Sequence, residues 1–147
     1  HTPTVSALGI HQGKVYYAPS KAFTILAGDN MSTKSVNLYI DGNKVQTWSK
    51  RDFLSNQPTY TLKADGHRHT LTLAAVDQAG NKQTVSYRGV MIVSDWWQYA
   101  VNTPEVMNRL VTGAIFALAL LAALLVLLAY RHKVNKNKRN PFHHSRK

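Results

Sequence analysis

Val36-Asn37-Leu38-Tyr39-Ile40-Asp41-Gly42-Asn43-Lys44-Val45-Gln46 is the stretch whose reading decides the fold. Val36, Leu38 and Ile40 alternate with polar or amphipathic neighbours, the period of a strand with one buried face. Asp-Gly then tolerates the positive φ of a tight type I′ turn, and Lys44-Val45-Gln46 starts a return strand. Downstream, Thr70-Leu71-Thr72-Leu73-Ala74-Ala75-Val76 alternates again, with Leu71, Leu73 and Ala75 predicted inward. The turn Asp77-Gln78-Ala79-Gly80-Asn81 follows, then a last strand over Thr84–Val93. Upstream, Thr4–Ile10, Lys14–Ala18, Ala22–Ala27 and Thr59–Leu62 are further candidates. Seven or eight short strands at this spacing, with no helical period before residue 94, predict an all-β sandwich over residues 1–94.

Leu-Tyr-Ile-Asp-Gly-Asn-Lys-Val at 38–45 and the run from Tyr60 to Asn81 resemble the bacterial surface immunoglobulin-like domains. Those domains carry a hairpin of the form Tyr-x-Asp-Gly-x-x-Val and a later Gly-x-His-x-Leu-x-x-x-Ala-x-Asp-x-Ala-Gly-Asn. The resemblance covers about residues 20–93 and implies an immunoglobulin-like sandwich of seven to eight strands. It implies little about activity, because such domains serve as spacers, adhesive modules and accessory domains alike. The layout as a whole is similar to the C-terminus of large Gram-positive surface proteins.

The second decisive stretch is Leu110–Tyr130, LVTGAIFALALLAALLVLLAY, which holds no charged residue. As a helix these residues would be about 31 Å long, close to the roughly 30 Å hydrocarbon core of a bilayer. This predicts one transmembrane α-helix over 110–130. Thr103-Pro104-Glu105 predicts the helix start, with Thr103 as cap and Pro104 at the first helical position. Residues 95–109 then form a juxtamembrane segment. Trp96, Trp97 and Tyr99 before the span, and Tyr130 at its end, are the predicted membrane-interface residues, since amphipathic rings favour the headgroup level. The alternative for Trp96 and Trp97 is packing on the base of the sandwich. Gly113/Ala117 and Ala119/Ala123 have small-xxx-small spacing, but alanine is common throughout the span.

Charge sets the orientation. The net charge of +11 comes from 18 Lys/Arg and 7 Asp/Glu, and residues 131–147 contribute seven of those bases and no acid. Arg131, Lys133, Lys136, Lys138 and Arg139 follow the span, whereas Arg109 alone lies between Gly89 and Leu110. The positive-inside bias predicts a cytoplasmic tail at 131–147 and an extracytoplasmic sandwich in the cell membrane. The tail would attract anionic headgroups. Tethered and nearly free of aromatic residues, it predicts no nucleic-acid partner. Where sortase substrates carry Leu-Pro-x-Thr-Gly, this chain reads Asn102-Thr103-Pro104-Glu105-Val106, so a retained helix is expected rather than covalent attachment to the wall.

No constellation of nucleophile, base and orienting group emerges, so no enzyme activity, cofactor or metal is expected. Glu105 is the one glutamate, and Asp29, Asp41 and Asp65 sit beside Gly or Asn in turn contexts, while Asp77 opens the turn that ends in Gly80-Asn81. His67 and His69 alternate and would share a strand face, with no third metal ligand evident, while His143-His144 belongs to the polar tail. Trp48 reads as an inter-sheet core residue, with an exposed sugar-stacking platform as the alternative. Asn30-Met31-Ser32 matches a glycosylation sequon without weight in a bacterial protein. The absence of cysteine fits a bacterial surface better than a disulfide-dense eukaryotic one. The chain begins at His1 with a strand close behind, which predicts upstream domains of the same protein as neighbours. The sequence thus points to a membrane-proximal spacer and C-terminal anchor of a larger surface protein. Two other readings stay open: an adhesive module for glycan or protein, and the anchor of a surface hydrolase whose catalytic domain lies upstream.

Overall fold

The computed structural model describes residues 2–28 and 33–140. Asp29, the sequon at 30–32, His143 and His144 lie outside the described residues. The chain divides into two compact units, the first ending at Thr103 and the second beginning at Pro104.

The first unit is built from eight strands: β1 (Thr4–Leu8), β2 (Val15–Tyr17), β3 (Ser20–Gly28), β4 (Thr33–Ile40), β5 (Asn43–Ser49), β6 (Thr59–Lys63), β7 (Arg68–Asp77) and β8 (Lys82–Val93). They form a three-stranded sheet in the order β1-β3-β6 and a five-stranded sheet in the order β2-β8-β7-β4-β5. All pairings are antiparallel except β2 with β8, which is parallel. The chain crosses between sheets after β1, β2, β3, β5 and β6, the Greek-key connectivity of an immunoglobulin-like sandwich.

The alternation read from sequence is the alternation that faces the core. Val36, Leu38, Leu71, Leu73 and Ala75 of the five-stranded sheet are buried against Val5, Phe23, Ile25 and Leu62 of the other. Trp48 is buried in the same cluster, which removes the exposed sugar platform as a reading of that residue. Ile40 pairs with Asn43, leaving Asp41 and Gly42 as a two-residue loop with φ of 51° and 85°. Both values lie in the left-handed region a type I′ turn requires. At the next turn, Asp77 accepts hydrogen bonds from the Asn81 N–H (2.8 Å) and Nδ2 (2.7 Å), which accounts for the Asp-x-Ala-Gly-Asn pattern. The Tyr87 hydroxyl on β8 accepts from the Ala7 N–H on β1 at 2.8 Å and ties one sheet to the other.

The molecule is not purely all-β, because two short helices were hidden in the sequence. Helix α1 (Lys50–Ser55) carries the chain from β5 to β6. Its N-terminus is marked by Ser49-x-x-Asp52, whose carboxylate accepts from the Ser49 N–H (2.6 Å) and hydroxyl (2.9 Å). Helix α2 (Trp96–Asn102) starts at Asp95, whose side chain accepts from the Gln98 N–H at 2.8 Å. Residues 95–109 are therefore not one segment: α2 closes the first unit, and residues 104–109 open the second.

The second unit is helix α3 (Pro104–Arg139), 36 residues with no buried residue. It is the one helix among the described residues long and apolar enough to cross a membrane. At 1.5 Å per residue it is about 54 Å long, so a bilayer core would take little more than half of it.

Candidate functional site

One pole of the sandwich gathers the chemistry. There β8 ends at Val93, parallel β2 ends at Tyr17, β7 begins at Arg68, and the chain enters α2. Two residues of β8, Arg88 and Gly89, face only Thr70 of β7, a β-bulge at which Gly89 takes a φ of 70°. Beyond the bulge Val90 and Ile92 enter the main core, while Met91 and Val93 join Val15 in a second cluster. Tyr99 of α2 packs on that second cluster.

The predicted interfacial residues separate by environment. Trp96 and Trp97 are 47% and 58% exposed, so they do not pack into the base of the sandwich. Their rings lie 6.4 Å apart on the surface of α2. Tyr99 is half-buried, its ring 5.7 Å from that of Tyr17, which is 54% exposed. Tyr17 is a member of this aromatic group that no sequence signal marks, because β2 and α2 are far apart along the chain. Tyr130 is exposed on α3. Thr103 does not cap α3 with its side chain: its hydroxyl makes no hydrogen bond, and its N–H closes α2 by donating to the Ala100 carbonyl at 3.3 Å.

At the same pole His69 lies between two carboxylates. Its Nδ1 is 2.6 Å from Asp41 Oδ2, and its Nε2 is 2.8 Å from Asp65 Oδ2. Asp41 belongs to the β4–β5 turn and Asp65 to the β6–β7 loop, so one ring joins three segments. The remaining oxygens are occupied too. Asp41 Oδ1 accepts from the Thr70 N–H, and Asp65 Oδ1 accepts from the His67 N–H, both at 2.9 Å. Burial alone would lower the His69 pKa. The hydrogen bonds to Asp41 and Asp65, with the two negative charges, outweigh it and hold that pKa above its ordinary value. The His69 hydrogen bond, with that from the Thr70 N–H, holds Asp41 below the ordinary carboxylate range. Burial works to raise Asp65, but the hydrogen bonds from His67 and His69 outweigh it and leave that group lowered as well.

The predicted sharing of a strand face by His67 and His69 does not hold, since β7 begins at Arg68 and His67 stands 80% exposed in the preceding loop. Among the described residues no three His, Asp or Glu are placed to hold one metal ion. Asp41 and Asp65 take opposite nitrogens of one ring, so they face each other across it and do not converge. With both nitrogens against carboxylates, the doubly protonated ring has no free nitrogen to offer a substrate.

The basic residues Arg131, Lys133, Lys136, Lys138 and Arg139 all lie within α3, the last three in its final turn. Cations there complement the negative end of the helix dipole. His132, Lys136 and Arg139 are spaced to share one face of the helix.

No protein-family model matches the chain, and no curated protein matches it. Among solved structures, it is similar to the fibronectin(III)-like modules of CbhA from Clostridium thermocellum, with 21% identity and a TM-score of 0.45 over 63% of this chain. The match takes in 46% of that chain, so this chain spans less than half of its length.

Proposed function

We propose that this chain is the membrane-proximal spacer and C-terminal membrane anchor of a larger bacterial surface protein, with the sandwich outside the cell membrane and residues 131–147 in the cytoplasm. The observation that carries the reading is α3: a 36-residue helix with no buried residue, whose apolar stretch is followed by five basic residues before the helix ends. An apolar helix with every side unburied is unfavourable in water and favourable in lipid. The bilayer is the principal partner, with anionic headgroups at the tail and upstream domains of the same protein at the other end.

The spacer role is supported by what the sandwich residues do. Among the described residues its carboxylates are engaged in turns, in helix caps and with His69, and its aromatic side chains other than Tyr39 serve the core or the pole at α2. We assign it no reaction. The test is topology and exchange together. Protease added to intact cells digests the sandwich and spares a tag placed after Lys147. Replacing residues 4–93 with an unrelated immunoglobulin-like domain of equal length preserves display and activity of the full-length protein. Loss of the tag to external protease refutes the orientation. Retained display with lost adhesion or ligand binding refutes the spacer role in favour of an adhesive module.

A further inference from the structure

A neutral imidazole has one N–H and one bare nitrogen, and the bare nitrogen repels a carboxylate oxygen at hydrogen-bond distance. Two carboxylates on opposite nitrogens, at 2.6 and 2.8 Å, are both satisfied only when His69 carries both protons. On losing one proton, the ring must release one partner, and the surroundings decide which. Asp41 is fixed independently of the ring: its N–H donates to the Thr70 carbonyl and its Oδ1 accepts from the Thr70 N–H, both at 2.9 Å. Among the described residues Asp65 has no such second anchor, and its other oxygen bonds within its own loop, to the His67 N–H. Apart from His69, the loop is held to the sandwich by the Ala64 N–H on the Pro19 carbonyl (3.0 Å) and the Gly66 N–H on the Ile92 carbonyl, long at 3.2 Å.

We propose that His69 is a proton-dependent clamp: doubly protonated, it fixes the β6–β7 loop to the β4–β5 turn, and on deprotonation it keeps Asp41 through Nδ1 and releases Asp65 with its loop. The consequence reaches α2. Gly66 lies so close to Gln98 that a Cβ on it would stand 3.0 Å from Gln98 Oε1, so the loop forms part of the seat of that helix. A pole that is stapled in acid and loosened in alkali is a device for making the stiffness of this end of the sandwich follow external pH.

The other charged groups here do not compete for the ring. From the loop, His67 lies 3.8 Å from Asp65 Oδ1 and is largely solvated. On β7 itself, Arg68 turns to the Gly89 carbonyl of β8 at 3.2 Å. The β8 residue paired with His69 is Val90, and β4 ends in Ile40, both apolar. The direction of pH dependence follows. His69 is raised above 6.5, so its contribution is complete below that value and is lost as pH rises through the folded-state pKa. Asp41 and Asp65 are lowered below 3.8, so theirs is present above that value and is lost as pH falls through the folded-state pKa. The clamp is closed between these limits.

The full chain in detergent micelles, labelled with 15N, tests this by pH titration of the imidazole resonances and of amide protection corrected for intrinsic exchange. Both His69 nitrogens should be protonated at low pH, with a midpoint above the ordinary imidazole value of 6.5. Above the midpoint the remaining proton should sit on Nδ1. Across it, protection of the Gly66 and His67 amides should fall about threefold to tenfold, the effect of one charge-assisted bond between partly exposed groups. The Thr70 amide should keep its protection. Asp65→Asn should lower the His69 midpoint and abolish the pH dependence at Gly66, whereas His67→Gln should leave both unchanged. Unchanged Gly66 and His67 protection in the native chain overturns the clamp. Loss at Thr70 with retention at Gly66 overturns the assigned direction and with it the proposal.

Discussion

Replacing Leu120 and Leu124 by arginine puts two charges on one face at the middle of α3, where the membrane reading is most exposed to refutation. Between Leu110 and Tyr130 the helix holds twelve Leu, Val, Ile or Phe residues. At about −0.3 to −0.6 kcal/mol each, they favour insertion by roughly 4–7 kcal/mol, a ceiling because residues nearer the ends contribute less. One central arginine costs about 2.5–3.5 kcal/mol and also removes a leucine, which leaves a small net preference for the bilayer. Two cost about 5–7 kcal/mol, enough to cancel it. The assay is alkaline carbonate extraction of the full chain exported behind a cleavable signal peptide. Native protein and Leu120→Arg should remain in the membrane pellet. The double arginine variant should move to the soluble fraction, and a Leu120→Ala/Leu124→Ala control should not. A double arginine variant as resistant to extraction as the native chain refutes α3 as the element that holds the protein in the membrane.

The sandwich offers two sharper structural tests. Leu73 is 1% exposed on the central strand β7, so Leu73→Ala should destabilise the domain by about 2–5 kcal/mol. Gln46→Ala, on the exposed run of β5, should stay within about 0.5 kcal/mol. Urea unfolding followed by near-ultraviolet circular dichroism separates the two, and equal midpoints would show that Leu73 does not face the core. Gly42→Ala meets no atom within 4 Å, so its cost should be the left-handed backbone alone, about 1–2 kcal/mol. A variant as stable as the native chain by the same assay contradicts the turn type.

The sequence by itself determined whatever depends on periodicity along one segment. Alternation at Val36–Ile40 and Leu71–Ala75 marked the core faces, because successive strand side chains point to opposite sides whatever the partner is. Asp41-Gly42 marked its turn because positive φ is a local demand. The uncharged, mostly apolar run from Leu110 and the bases after it marked a membrane-length helix and its charged end. The caps at Ser49-x-x-Asp52 and Asp95 went unread, because each opens a helix too short for a 3.6-residue period to show. Only tertiary structure could show that Tyr17 meets Tyr99, since they are brought together by the parallel pairing of β2 with β8. It alone could show His69 between Asp41 and Asp65. Read in order along the chain, those two aspartates are turn residues and that histidine is a polar residue near a strand start. Their proximity depends on which loops share a pole of the sandwich, and that is fixed by the Greek-key crossings, which no single segment encodes.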